Sequence, residues 1–406
     1  VEPQKNFQLG LPEAEIRKLG DRVMSDYRAA LGDHNRRMNR FREYYRRWRA
    51  LPDEPVIGEE EASNFPVPFI EWNVLAKLAK EADSIFGDDA EIVAVPVGPS
   101  DQRKVKKIGR YMTWRVFNSM KITRELLEFV LRKILFGRSH AYAPYKRDVY
   151  DGPDGEEIVE YEGPDFQPQW PDDVIVPAEE VKNIHNFSFV IRRYRTTPEE
   201  LLQGEEEGRY QGITENFQRI VTQAKNGMRR EFEGEEVKLE ADEAEGILYH
   251  RPLSGGENLM VLEWYGRWRM PKDTSADAGS PDEMDFKQRE MRETELVTRL
   301  LPDMNLVIAV QNLADLYPGK KDKRPFVEAS LIPDGRYWAK GVCEMACDLE
   351  DEIRVNHNQA TEGAALSVNP PLGYRPASGF EPKQFRVEAG TSIPLDNPQT
   401  DIKQLT

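Results

Sequence analysis

The chain has 406 residues, 39% hydrophobic and 32% charged, and its 72 Asp and Glu against 56 Lys and Arg give a formal net charge of −16. That length suits two or three domains rather than one core, and the acidic balance argues against a surface that binds nucleic acid throughout, because phosphate affinity comes from clustered cations. Mean hydropathy is −0.68, no apolar run approaches the ~18–20 residues of a membrane span, and residues 1–20 hold no apolar signal-peptide segment, so cytoplasmic synthesis and no membrane contact are expected.

Cys343 and Cys347 lie four apart on a helical pattern and share a face. They do not make a disulfide framework. A metal site would need two further ligands, and His357 lies too far along to complete one, so both read as small buried side chains. No metal and no cofactor is expected. The chain opens at Val1 and stops at Thr406 inside what reads as the start of a new element, and it is expected to be part of something longer.

Residues 12–50 are predicted to be helical, with Ile16, Leu19, Val23, Tyr27 and Leu31 at helical spacing. Gly32 and Asp33 are expected to break the run, with Asp33 capping a second helix over 34–50. That second helix carries Arg36, Arg37, Arg40, Arg42, Arg46, Arg47 and Arg49, interleaved with Phe41, Tyr44, Tyr45 and Trp48. Two readings stand side by side: a cationic face for DNA or an acidic partner, or an aromatic stripe packed on the core with arginines reaching outward. After an irregular stretch over 52–71, a helix is predicted over 70–86 and a short strand over 92–97. Residues 101–136 read as one or two helices, with Val105, Ile108, Met112 and Val116 recurring, closed by Gly137.

From 140 to 195 the period changes to two. Strands are predicted at 141–150 and 158–161 around an Asp154-Gly155 turn, then at 171–177 and 187–194. Thr197-Pro198-Glu199-Glu200 reads as a helix start, with Thr197 as cap and Glu200 closing a capping box. A polar helix over 213–226 and an acidic stretch over 231–245, read as a solvated loop or edge, follow. Residues 259–269 and 294–310 read as paired strands around a flexible 273–285 insertion.

After Pro333-Asp334-Gly335 a helix is predicted over 337–366, spanning about 40 Å at 1.5 Å per residue. Trp338, Val342, Met345, Leu349 and Ile353 recur at three and four, and other faces carry Glu344, Asp348, Glu350, Asp351 and Glu352. A long helix with a thin apolar stripe, small residues at Ala360, Ala364 and Ala365, and a polar back suits packing beside copies of itself. Asn369-Pro370-Pro371 stops it. Short strands near 372–374 and 385–387 form a small unit, and Asp396-Asn397-Pro398 should open another helix.

Taken in order, these segments resemble the portal proteins of tailed bacteriophages, the head-to-tail connector family. The first stretch to carry the likeness is the arginine- and aromatic-rich helix, followed by Ser63-Asn64-Phe65-Pro66-Val67-Pro68, the amphipathic helix ending in Ile85-Phe86-Gly87, and the strand over 92–97. The second runs from Gly163-Pro164-Asp165 through Trp170-Pro171-Asp172-Asp173-Val174 to Phe189-Val190-Ile191-Arg192-Arg193 and the capped helix at Thr197. The third runs from Pro325-Phe326 through Gly341 and Asn356-His357-Asn358-Gln359 to Asn369-Pro370-Pro371. Together they cover about 30–400.

The resemblance implies an α+β fold: a mixed α/β wing over 1–334, a stem helix over 335–366, a small α/β clip over 367–396 and the start of a second stem helix over 397–406. The rest of that helix, the tunnel loop and the crown of the family would lie beyond Thr406. It implies a ring, usually of twelve subunits, at one capsid vertex of the virion, assembled in the host cytoplasm and conducting double-stranded DNA without sequence preference. Terminase, a head-completion or tail adaptor protein, and capsid and scaffold proteins would be its partners. On that reading Glu344, Asp348, Asp351 and Glu352 are channel-facing candidates, the alternative being that they face solvent or a neighbour's arginine. An acidic wall repels DNA and keeps it mobile. Arg375, Lys383, Phe385 and Arg386 are candidates to touch the motor or adaptor, and Arg36, Arg37, Arg40 and Arg47 to touch DNA or the capsid.

An enzyme reading finds less support. No phosphate-binding G-x-x-x-x-G-K-[ST] loop and no G-x-S-x-G elbow occur, and the five histidines show no i, i+4 metal pair. Chance carboxylate pairs abound in so acidic a chain, so catalytic residues are expected to be none. The remaining alternative is a DNA-binding or scaffold-like virion protein that works without a ring.

Overall fold

The computed structural model describes residues 9–51, 65–87, 92–96, 98, 101, 104–120, 122–152, 156–227, 236–245, 259–271, 290–317, 323–368, 372–374 and 402–404. Its helices are α1 (Glu13–Trp48), α2 (Phe69–Phe86), α3 (Val105–Trp114), α4 (Thr123–Phe136), α5 (Pro198–Glu206), α6 (Ile213–Gly227), α7 (Glu236–Ala244), α8 (Leu313–Leu316) and α9 (Val342–Val368). Its strands are β1 (Arg138–Tyr142), β2 (Tyr145–Asp151), β3 (Glu157–Pro164), β4 (Gln167–Gln169), β5 (Val174–Ile175), β6 (Phe189–Thr196), β7 (Leu259–Pro271), β8 (Met291–Leu301), β9 (Leu306–Asn312), β10 (Phe326–Ser330), β11 (Leu372–Tyr374) and β12 (Ile402–Gln404). The fold is mixed α and β. The chain divides into two units: residues 1–49 with 70–345, and residues 50–69 with 346–406.

In the first unit an antiparallel sheet runs β5-β6-β7-β8-β9. Residues 259–266 are buried on both faces, which is why they read as an almost unbroken apolar run rather than an alternating one. On one face Ile191, Leu262, Trp264, Leu296 and Leu300 meet Leu19, Val23, Tyr27 and Ala30 of α1. The Trp264 indole lies over Gly266, where an added Cβ would meet the ring at 2.2 Å. Its Nε1 donates to Asp26 of α1 at 3.1 Å. On the opposite face Val174, Val190, Tyr265 and Val297 pack with Tyr142, Phe326 and Tyr337. Farther along that face Val261, Leu301 and Ile308 pack with Leu201, Ile213 and Ile220 of α5 and α6.

Several sequence expectations are corrected. Helix α1 is one unbroken 36-residue rod, so Gly32 and Asp33 neither end nor cap a helix. An interior glycine costs about 1 kcal/mol, and burial of Ala30, His34, Met38 and Phe41 on both sides of it outweighs that. Asp33 instead pairs with Arg36 at 2.6 Å. The acidic stretch is not a solvated loop throughout: 236–244 is helix α7, with Val237, Glu240 and Ala241 buried. Residues 92–96 join no strand ladder among the described residues. The strand expected at 141–150 is two strands, broken at Ala143-Pro144 because proline lacks the ladder donor.

The long helix begins at Val342, not at 337. Residues 339–341 first pass against 135–137, where backbone touches backbone. A Cβ at Gly341 would lie 2.2 Å from the Leu135 carbonyl oxygen, and one at Gly137 2.1 Å from that of Ala339. Gly137 also takes φ 84 as it closes α4, a conformation that favours glycine. Tyr337 and Trp338 precede the helix and sit among Phe41, Phe187 and His140. The capping box at Thr197 is present with both of its hydrogen bonds, as the sequence predicts.

In the second unit, which holds most of α9, the Phe65 amide donates to Asn358 Oδ1 at 3.1 Å. Residues 402–404 form a strand paired antiparallel with Leu372–Tyr374, where the sequence predicts a second helix already under way. Each strand supplies the other's backbone partners. The strand expected at 385–387, the turn at 154–155 and the 273–285 insertion lie outside the described residues.

Candidate functional site

The arginine-rich half of α1 does two things at once. Phe41 and Tyr45 are buried, with Tyr44 and Trp48 half-buried beside them, so the aromatic stripe packs on the core. Of the four arginines singled out, Arg36 and Arg40 are exposed, and Arg36 is held by Asp33. Arg47 pairs with Glu43 at 2.7 Å. The Arg37 guanidinium lies 4.3 Å from the Trp338 ring centroid, and burial there lowers its pKa to about 10. Arg42 and Arg46 both grip Glu240 of α7 at 2.8 Å. Much of the cationic face is thus engaged within the chain.

On α9, Glu344, Asp348 and Glu352 recur every fourth residue and are exposed, forming one ridge with steps of about 6 Å. Asp351 is half-buried and accepts from Arg354 at 3.2 Å. Met345, Leu349 and Val355 flank the ridge, each about half exposed. Glu350, which the sequence places on the polar back, is buried. Cys343 is buried and Cys347 partly so, and neither is in a disulfide. The motor-contact candidates Arg375, Lys383, Phe385 and Arg386 lie outside the described residues.

Sequence reasoning misses the surfaces that stand out most. In the first unit, Trp72 of α2 is 63% exposed, and Val93 and Val95 are 78% and 79% exposed. Helix α3 bares Ile108, Tyr111, Met112 and Trp114. Ile108 and Met112 recur like core-facing residues, but α3 is seated through Gly109, where a Cβ would meet the Ile92 carbonyl oxygen at 2.8 Å. The β2–β3 hairpin bares Tyr145, Val149, Tyr150, Ile158 and Val159. The available signal is a short paired ribbon with apolar residues on adjacent, hence opposite-facing, positions.

Strongly shifted ionisable groups sit in the interior of the first unit rather than in a cleft. Glu263 accepts from Arg192 at 3.0 Å and Arg299 at 2.8 Å across three adjacent strands. Burial pushes its carboxyl up, and the two guanidinium groups more than offset this and hold it below its ordinary value. Gln169 and Gln311 accept further bonds from these arginines, and the Tyr142 ring lies 3.9 Å from Arg192. The Asp172 carboxylate accepts from the Val237 and Lys238 amides at the start of α7, and burial raises its pKa to about 7. His140 bonds the Tyr337 hydroxyl at 2.7 Å. Burial, with Arg138 and Arg37 nearby, lowers its pKa to about 3.

Among the described residues no group of three or more His, Cys, Asp or Glu side chains is arranged to hold a metal ion, and no helix is long and apolar enough to cross a membrane. A surface hollow of about 550 Å³ lies between α1 and the β8–β9 turn, lined by Asp21, Ser25, Arg28, Pro302, Asp303 and Asn305, with no histidine, cysteine or lysine in its wall. This chain matches no protein-family model and no curated protein.

Proposed function

We propose that this chain is a structural subunit of a ring that conducts double-stranded DNA, the portal at one capsid vertex of a tailed bacteriophage or related virus. The fold would then comprise the wing, stem and clip of that family, docking terminase during packaging and a head-completion or tail adaptor protein afterwards. The observation that carries this reading is the quantity of large apolar side chain left bare by the folded subunit, on α2, 92–96, α3, the β2–β3 hairpin and α9. Monomeric proteins rarely expose contiguous apolar patches beyond a few hundred Å², and sister subunits would cover them. Helix α9 suits the stem: Met345, Leu349 and Val355 offer lateral packing, while Glu344, Asp348 and Glu352 present a surface that repels phosphate.

The test is class-averaged electron microscopy of the purified full-length protein with sedimentation analysis. A uniform annulus with a central hole is expected, together with silent nuclease and ATPase assays. A monodisperse monomer across concentration and salt overturns the proposal. DNA-bound particles with no annulus favour a virion structural protein that works without a ring.

A further inference from the structure

We propose that neighbouring subunits are joined by the basic helix α3 of one copy seated on the acidic β2–β3 hairpin of the next. The inference rests on the ring reading for the closure of the assembly, and its partner is a second copy of this chain.

Helix α3 is amphipathic in an inverted sense. Its bare face combines Ile108, Tyr111, Met112 and Trp114 with the exposed cations Lys104, Lys106, Lys107 and Arg110. No carboxylate occurs between 104 and 115, and among the described residues none of these four cations makes an ion pair. The helix cannot simply turn inward. Its continuation, the π-helical turn Arg115–Ser119, is pinned where the Arg115 guanidinium stacks 4.6 Å from the Tyr161 ring centroid and donates to the Glu162 carbonyl.

The hairpin has the opposite charge and the same need. Strands β2 and β3 pair with each other and with no third strand among the described residues. Val149 opposes Val159 and Tyr150 opposes Ile158. Alternation puts these two apolar pairs on opposite faces, so both faces of the ribbon are bare. A two-stranded ribbon is marginal in water unless something packs on it. Its cations Lys146 and Arg147 are taken by Asp148 at 2.8 Å and Glu157 at 3.8 Å. Glu156 and Glu160 are exposed and make no ion pair among the described residues.

A basic apolar face and an acidic apolar face on different elements of one chain join copies either reciprocally about a two-fold axis or head to tail, and the ring reading selects the head-to-tail form. Such a contact propagates, and it closes into a ring when its rotation divides the circle. Opposed charges fix which face meets which, and the apolar residues supply the buried area.

Charge reversal tests this on the full chain. One variant carries Lys106→Glu, Lys107→Glu and Arg110→Glu; a second carries Glu156→Lys and Glu160→Lys; a third carries all five. Assembly is read by sedimentation velocity and negative-stain microscopy, with circular dichroism and the thermal midpoint confirming folding. The first two variants alone should each need at least about tenfold more subunit to form rings. Mixing them, or combining the changes in one chain, should restore rings. Rings that form equally well in every variant overturn this interface and leave the ring reading standing. No rings from the unaltered protein under any condition overturns both. Loss of binding to a short DNA duplex or to anionic vesicles in the first variant, with assembly intact, assigns α3 to that other partner and overturns the proposal.

Discussion

Replacing Glu263 with glutamine leaves two guanidinium groups inside the sheet facing a neutral amide. The glutamate side chain is 1% exposed and its arginine partners 13% and 17%, so water cannot take its place. One carboxylate serves both cations, through Nη1 of Arg192 at 3.0 Å and Nε of Arg299 at 2.8 Å. Removing one partner of a buried ionic group costs about 3–5 kcal/mol, because the remaining charge stays desolvated. That is a large share of the roughly 5–15 kcal/mol that holds a domain folded. Urea, which does not screen charge, should unfold Glu263→Gln at a markedly lower midpoint with an unchanged slope, compared at fixed protein concentration because any self-association would shift the midpoint. The combined change Arg192→Met, Glu263→Leu and Arg299→Met should recover most of the loss, since packed apolar groups of similar volume often match a buried ionic cluster. A loss below about 1 kcal/mol for Glu263→Gln, with the slope unchanged, refutes the reasoning.

Buried His140, with its pKa near 3 instead of 6.5, binds protons in the unfolded chain before it does in the folded one. Its stabilising contribution is therefore full above about pH 6.5 and lost as pH falls toward 3, at about 1.4 kcal/mol per pKa unit. His140→Gln should flatten the acid limb of thermal midpoint against pH, and an unchanged limb counts against it. Asp172 works the other way. Burial raises its pKa from 3.8 to about 7 against the pull of Arg193 and Lys238, with Asp173 adding to the rise. Its contribution is full below about pH 4 and lost as pH rises through 7. Asp172→Asn should reduce the decline over that window, and a parallel curve would argue that the carboxylate is ionised throughout. Gly341→Ala drives a Cβ to 2.2 Å from the Leu135 carbonyl oxygen and should cost more than about 3 kcal/mol or prevent folding. Gly363→Ala, with nothing within 4 Å of the new Cβ, should stabilise α9 by about 0.5–1 kcal/mol, read as a raised thermal midpoint.

Local rules written in a few consecutive residues are legible in the sequence by itself. The capping box at Thr197 needs only a hydroxyl, a proline and a glutamate at fixed spacing. The pairing of β7 with β8 follows from two apolar runs with turn signals between them, although the second run, read as one strand over 294–310, is β8 and β9 split by a turn at 302–305, and Gly137 closes α4 by its own backbone freedom. The acidic ridge of α9 follows from a four-residue period. What the sequence leaves open depends on partners distant along the chain. Gly32 has the character of a break, yet the packing on both sides of it carries the helix through. The acidic 236–244 segment has the composition of a solvated loop, yet Arg42 and Arg46, almost two hundred residues earlier, give Glu240 a buried place. The start of α9 is set by a backbone crossing at Gly137 and Gly341 that no periodicity encodes. Periodicity tells which residues share a face. Only the tertiary arrangement decides whether that face is covered, and α3 and the β2–β3 hairpin carry apolar faces that the fold of one chain leaves open.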